Sequence, residues 1–519
     1  MSERYTITTA IHYPNGRPHI GHAYEMIAAD AIARFQRQAG REVFFQTGTD
    51  EHGLKMVQTA RDKGVSVRAL ADEMSSYFSQ MADGLNISCD RFIRTVEPQH
   101  YRASQAIWEA MAAAGDLYLD RYEGWYSVRD EAFYEEKELT EGEGGARLSP
   151  QGTPVTWTAE ETWFFRLSKY QQPLLDHYAA NPDFIRPESR RNEVLRFVEG
   201  GLVDLSVSRT SFDWGVPVPG SDGHVMYVWV DALTNYLTGA GYPDDHERMA
   251  RYWPADCHVI GKDIVRFHAV YWPAFLMSAG IELPRQVFGH GFVLNRGEKM
   301  SKSVGNVVDP MDLANAFGVD ALRYFLLRDI NWGQDGSYSP RAIALRANAD
   351  LSNSFGNLAQ RTLAFIAKNL EGALPEAGRT EPADAALLAM VEAANAEFRA
   401  LFADQALTPA IEAWMRGVFA CNQYIDAQAP WGLRKTDPER MHAVLGTLVR
   451  AIRLLAITIL PVIPEAAGRL LDQIGAEARD HAALADDGWY ARLAEQGFRI
   501  AAPVPIFPRI EVPDEEDAA

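Results

Sequence analysis

Between Tyr5 and Thr47 the chain passes through strand, helix and strand patterns in turn, and the punctuation between them leaves few folds open. Tyr5-Thr6-Ile7-Thr8-Thr9-Ala10-Ile11 is rich in β-branched residues and reads as a buried strand, which Pro14-Asn15-Gly16-Arg17-Pro18 forbids from continuing. Ala23, Ile27, Ala28, Ala31, Ile32 and Phe35 then fall at three- and four-residue spacing with Gly40 as the stop, and Val43-Phe44-Phe45-Gln46-Thr47 resumes the strand pattern. This is a β-α-β unit. In such a unit the helix amino terminus and the strand carboxyl ends share one sheet edge, where open parallel sheets bind ligands.

At that edge stand His19-Ile20-Gly21-His22 and Gly48-Thr49-Asp50-Glu51-His52. Gly21 lets a nucleotide lie against the backbone, although His-x-Gly-His alone reads equally well as a pair of capping or surface histidines. About 280 residues later comes Lys299-Met300-Ser301-Lys302-Ser303. It follows the strand-like Gln286-Val287-Phe288-Gly289-His290-Gly291-Phe292-Val293-Leu294 and the turn residues Asn295-Arg296-Gly297, which puts both lysines at another strand's carboxyl end. Alone, this would be a solvated basic loop. Two imidazoles beside a glycine at a helix entrance, with two lysines in the same crevice, suit a triphosphate and the charge that develops at its α-phosphorus, so ATP is the substrate they suggest. Gly261-Lys262-Asp263 lies between the strand-like Cys257-His258-Val259-Ile260 and a helical pattern through Val265, Ala269 and Trp272, and so joins the same crevice. Helix capping is the alternative for Asp263.

With these residues in place the chain resembles the class I aminoacyl-tRNA synthetases, whose paired motifs bind ATP, and most closely the methionyl-tRNA synthetase family, from Tyr5 through Trp431. The resemblance implies ATP-dependent ligation of methionine to tRNA through a methionyl-adenylate, with release of pyrophosphate and AMP. It implies catalytic roles for His19, His22, Lys299 and Lys302, with Gly21, Asp263, Phe292 and Val293 joining them around ATP. It assembles a methionine pocket from Ile11, Tyr13, Asp50, Trp229, Leu233, Tyr236, Ile264, His268 and Trp272, with Asp50 accepting hydrogen bonds from the substrate ammonium. These mostly apolar and aromatic positions favour a polarizable thioether and would leave a charged side chain dehydrated, although any one aromatic among them reads equally as core. Magnesium carried in by ATP is the expected cofactor.

The first half of the nucleotide fold runs over 1–115 and the second over 227–344, so residues 116–226 read as an insertion that matches the family's connective peptide. Many relatives bind zinc there through cysteine pairs. Here Ser127 and Asp130 occupy the first-pair positions and no cysteine lies between Cys89 and Cys257, so no structural zinc is expected. The insertion is also too short for the editing domain of the isoleucyl, valyl or leucyl relatives. From 345 to 510 the pattern is helical, with apolar three-four spacing over 345–369, 384–402, 407–426 and 442–460. The expected fold class is therefore α/β: a Rossmann-type parallel-sheet catalytic domain split by a connective insertion, then an all-α bundle. The resemblance makes the bundle an anticodon reader, with Asn353, Asn357 and Arg361 on one helix face and Pro430 and Trp431 opposite, although the same residues could be caps and core. Residues 511–519 form an acidic tail, expected to be disordered.

Composition fits this reading. At 519 residues and 47% hydrophobic content the chain can bury cores for two to four domains. Three scattered cysteines argue against a disulfide scaffold, and the amino terminus lacks a basic start followed by an apolar stretch, so a cytoplasmic protein without a membrane partner is expected. A net charge of −20 disfavours indiscriminate nucleic-acid binding and requires that tRNA(Met), initiator and elongator, be met by local patches. The chain ends soon after the bundle, from which a monomer is expected. A cysteinyl relative would need zinc ligands that are not evident, and a silent tRNA-binding paralogue would not need both intact motifs.

Overall fold

The computed structural model describes residues 3–128, 132–295, 298–299, 307–375 and 378–513. Six parallel strands form the central sheet: β1 (Arg4–His12), β2 (Glu42–Thr49), β3 (Arg91–Arg94), β4 (Ile185–Arg186), β5 (Cys257–Gly261) and β6 (Val287–His290). Their order is β3-β2-β1-β5-β6-β4, so the chain reverses direction across the sheet beside β1, and the crevice opens above β1 and β5. The helix expected after Gly16 runs as α1 (Ile20–Gln38) and is buried on nearly every side. Gly40, at φ +83°, ends it in a conformation that side chains avoid. Two further helices matter for the site: α2 (Pro98–Ala113) and α3 (Val228–Ala240).

Within the segment expected to be inserted, Leu117–Ser127 and Thr156–Phe165 pair antiparallel over ten residue pairs and carry a four-stranded sheet of their own. One part of the segment lies elsewhere. β4 falls inside 116–226, yet it pairs with β6 at the edge of the catalytic sheet. A strand of two residues has no readable period, so only tertiary pairing reveals it. The strand-like run 286–294 likewise divides. β6 stops at His290, and Val293–Asn295 joins a separate sheet, parallel to Gly336–Tyr338 and antiparallel to Glu298–Lys299. The break is at Gly291, where a Cβ would lie 2.1 Å from the carbonyl carbon of Gln334.

The carboxyl-terminal helices follow the expected pattern: Asn357–Asn369, Pro382–Ala403, Leu407–Gln428 and Pro438–Ile459. Among the described residues Pro438–Ile459 is the one helix long and apolar enough to cross a membrane, and it is buried inside the bundle. The bundle and the catalytic half share one apolar core. At their junction the fully buried Arg323 donates to Asp30 of α1 at 2.6 Å and to the carbonyls of Leu85, Pro461 and Val462. Asp30 is held below the usual carboxylate range; burial opposes its charge, but Arg323, Arg34 and Ser88 outweigh it.

Candidate active site

His19 is the N-cap of α1. Its Nδ1 accepts the Gly21 N–H at 3.1 Å, and the Nδ1 of His22 accepts the His19 N–H at 3.1 Å, a reciprocal box that satisfies two of the helix's free donors. The capping alternative is thus realised, and it has a consequence. With both Nδ1 atoms accepting, each neutral ring carries its proton on Nε2. The rings stack at 3.8 Å. A Cβ on Gly21 would stand 2.9 Å from the His19 ring.

A cavity of about 390 Å³ opens beside them. Of the expected methionine residues, Ile11, Tyr13, Asp50, Trp229, Leu233, Tyr236, Ile264 and His268 line it, and of the expected nucleotide residues His19, Gly21, His22, Asp263, Phe292 and Val293 do so. Trp272 does not. It is fully buried behind Tyr236 and against Trp253, at 6.1 Å from each, so it supports the wall from the core. Trp229 stacks flat on Phe267 at 3.9 Å, and the five residues 267–271 form a π-helical turn that carries His268.

The polarity of the apolar end follows from one ring. His268 Nδ1 lies 3.0 Å from the Ile264 carbonyl, which can only accept, so Nδ1 bears the proton and Nε2 accepts from the Tyr236 hydroxyl at 2.7 Å. Burial lowers His268 to about 4, so it is neutral at physiological pH. The pair thus spends its strong donors on the protein, and the wall it presents suits a thioether better than a charged or strongly hydrogen-bonding group.

Sequence reasoning missed several cavity residues. Glu25 of α1 and His290 of β6 meet at 2.8 Å beneath the nucleotide end. Burial raises Glu25. Burial works against charge on His290, but Glu25 beside it lifts the imidazole above its ordinary value. His12, stacked on Phe78, is lowered to about 3 by burial and by His19 and His290, and its buried Nε2 has no hydrogen-bond partner among the described residues. Lys55 and Gln151 also line the cavity, the latter from the connective segment. The signal for Glu25 was a charge on an otherwise apolar helix face; His290 and Gln151 carried none. On the far rim, Lys262 pairs with Asp335 at 2.6 Å, and Asp335 accepts the Phe292 N–H at 2.8 Å, which fixes Val293–Asn295 beside Asp263. Lys299 pairs through its backbone with Leu294, while Lys302 lies outside the described residues.

Residues 5–363 match the family model of class I tRNA synthetases (M), and residues 374–519 match that of the anticodon binding domain of methionyl tRNA ligase. The chain belongs to the class I tRNA synthetases. It is 56% identical over 515 residues to the methionine–tRNA ligase of Brucella suis, covering 99% of both chains, and 58% identical over 515 residues to that of Mycobacterium bovis, covering 98% of both. The solved structure of Mycobacterium tuberculosis methionyl-tRNA synthetase bound by methionyl-adenylate superposes with a TM-score of 0.92 at 55% identity, covering 98% of this chain and 100% of that one.

In the connective segment of this synthetase, Ser127, one of the two expected first-pair positions, joins a cluster of hydroxyls. Ser127 and Thr153 lie 2.7 Å apart and Ser149 and Thr153 2.8 Å, a network of weak ligands that does not fit a closed zinc site. Asp130 lies outside the described residues. In the carboxyl-terminal helices, Asn353 and Asn357 are exposed, and the Arg361 guanidinium lies 5.2 Å from the ring centre of Trp431, itself 47% exposed. Pro430 departs from expectation. It is buried as the first residue of a short helix and presents no face beside Trp431. Asn353 sits on a second π-helical stretch, Ala347–Gly356.

Proposed function

We infer that this chain is a methionine–tRNA ligase that activates methionine with ATP and transfers it to tRNA(Met), initiator and elongator alike. The observation that carries the reading is one cavity joining an apolar, donor-poor compartment and a buried carboxylate, Asp50, to the stacked histidines of a helix amino terminus. In the first step the methionine carboxylate attacks the α-phosphorus of ATP and pyrophosphate leaves. Asp50 holds the ammonium, the Tyr236–His268 wall faces the thioether, and Nε2–H groups of His19 and His22 donate to phosphate oxygens as charge grows there. Lys299 and Lys302 supply charge to the departing pyrophosphate. In the second step a hydroxyl of the tRNA terminal ribose attacks the anhydride carbonyl and AMP leaves. Neither step needs a nucleophile from the protein.

Among the described residues no group of three or more His, Cys, Asp or Glu side chains is placed to hold a metal, which suits a magnesium ion that travels with the triphosphate and neutralises its charge. We place the catalytic halves at 1–115 and 227–344, the connective insertion at 116–226 and the anticodon bundle at 345–510, in a cytoplasmic monomer. The exposed Asn353, Asn357 and Trp431 and the half-buried Arg361, which Asp426 holds at 2.7 Å, support an anticodon role, since unpaired bases stack on aromatic faces and bond to amides and guanidinium groups. Pyrophosphate exchange into ATP, run with each of the twenty amino acids, tests the activity. Methionine alone should support it, and exchange with another amino acid, or with none, overturns the reading.

A further inference from the structure

Helix α3 is buried all round, yet its two sides differ in kind. One side, Trp229, Leu233 and Tyr236, lines the cavity. The other carries Asp231 and Thr238, with Asn235 between the two sides and also bordering the cavity, and each of the three is hydrogen-bonded to a neighbouring element. Asp231 is fully buried and accepts from two imidazoles at 2.6 Å, from His52 Nδ1 on one oxygen and from His100 Nε2 on the other. Asn235 Oδ1 accepts from Gln46 of β2 at 2.7 Å, and Thr238 Oγ1 meets His100 Nδ1 at 2.9 Å. The approach is close enough to dictate sequence: a Cβ on Gly239 would lie 1.4 Å from Gln46 Oε1.

His52 leaves β2 two residues after Asp50, and its Nε2 meets the Tyr101 hydroxyl of α2 at 3.0 Å. The Asp231–His52 bond therefore ties the segment that carries the ammonium acceptor to the helix that carries the side-chain wall. The length of amino acid that fits between Asp50 and Tyr236 is set by that tie. The carboxylate stays ionised: burial opposes its charge, but His52 and His100 hold it far below the usual range. Two charge-assisted bonds to one buried group are rigid, because breaking either leaves a dehydrated partner.

We propose that Asp231, clamped between His52 and His100, is a positioning residue that sets the distance between the ammonium and thioether ends of the pocket and so selects amino-acid length. The inference rests on the reading of Asp50 as the ammonium partner. The test is steady-state pyrophosphate exchange with Asp231→Asn, His52→Gln and Asp50→Asn, each first checked for native melting. In Asp231→Asn the amide sets a donor against one imidazole N–H. KM for methionine should rise by about tenfold, the scale of one lost charge-assisted bond, with KM for ATP within about twofold, and the preference for methionine over the longer ethionine should shrink. His52→Gln should do the same, and the double variant should cost no more than either alone, because both remove one clamp. If Asp231→Asn does not fold, His52→Gln carries the test. A folded variant in which both KM values rise together, neither changes, or the preference for methionine over ethionine is kept overturns the positioning role. An Asp50→Asn enzyme with unchanged KM for methionine overturns the pocket assignment instead, and this inference with it.

Discussion

Asp320 is expected to weaken the fold at the pH where the enzyme works, and replacing it with asparagine should strengthen it. The side chain is 7% exposed in the first turn of helix Val319–Asp329, its Oδ2 accepts the Ala466 N–H at 2.6 Å at the start of helix Pro464–Gln473, and its buried Oδ1 has no partner among the described residues. Burial pushes the carboxyl from an ordinary 3.8 up to about 6, against the pull of the Ala466 N–H, Arg323 and Arg469. Because the folded value is raised, the native state holds the proton more tightly than the unfolded chain. The contribution of Asp320 is therefore full below about pH 4 and is lost as pH rises through about 6, at a cost of about 3 kcal/mol at pH 8. Asparagine recovers only part of this, about 1 to 2 kcal/mol, because its amide N–H takes the buried place of Oδ1, which has no partner among the described residues. Asparagine keeps the acceptor for Ala466 and removes the charge. Urea and thermal denaturation of Asp320→Asn should show a gain of about 1 to 2 kcal/mol at pH 8, declining from pH 6 and gone below about pH 4. A loss of stability at pH 8, or a gain independent of pH, would show that burial of this charge does not set the balance.

Lys302→Ala should raise the barrier of activation by about 2.7 to 4 kcal/mol, the scale for losing one electrostatic stabiliser, and leave KM for methionine nearly unchanged; near-normal pyrophosphate exchange would sink the assignment. Trp431→Ala, on an exposed ring, should cost about 1 to 3 kcal/mol of base stacking and lower kcat/KM for tRNA by about 10- to 100-fold while adenylate formation is kept. A folded variant that charges tRNA normally, or one equally impaired in both reactions, would remove Trp431 from the anticodon site. Elemental analysis of the purified protein should find no stoichiometric zinc, and chelation should leave the melting transition in place, because Ser127, Ser149 and Thr153 bond to one another; one tightly held zinc per chain would contradict this.

What was legible in the sequence was what sequence-local physics dictates. The strand at Tyr5–Ile11, the stop at Gly40 and the bundle helices follow from period and punctuation, and the structure reproduces them within a few residues. Contacts made at long range were not legible. β4 is two residues long and exists because β6 pairs with it. Asp231, His52 and His100 come from three segments up to 179 residues apart, and each reads alone as an ordinary polar residue. Trp272 carried the same aromatic signal as Trp229, and only packing places one behind the wall and the other in it. Both π-helical stretches, 267–271 and 347–356, carry a residue proposed for a site, His268 and Asn353, and an extra residue per turn has no sequence period that apolar spacing could expose.

The histidine motif shows why some sites can be read from a few letters. Capping and phosphate binding are usually weighed as rival explanations for polar residues at a helix start, yet in the function proposed for His19 and His22 one supports the other. The Nδ1 atoms of His19 and His22 satisfy backbone donors of α1, which fixes both ring orientations and assigns the proton to Nε2 in each neutral ring. A side chain locked in this way pays its ordering entropy in folding, before substrate arrives, so its Nε2–H is held in a fixed orientation for the role proposed above. Gly21 is bound by the same geometry, since any Cβ would press on the His19 ring. Three of the motif's four positions are thus constrained by local structure and by chemistry at once. Replacing His22 with glutamine, whose side-chain amide can still accept the His19 N–H but offers no ring to stack, would separate the two demands: the helix start should persist while activation falls.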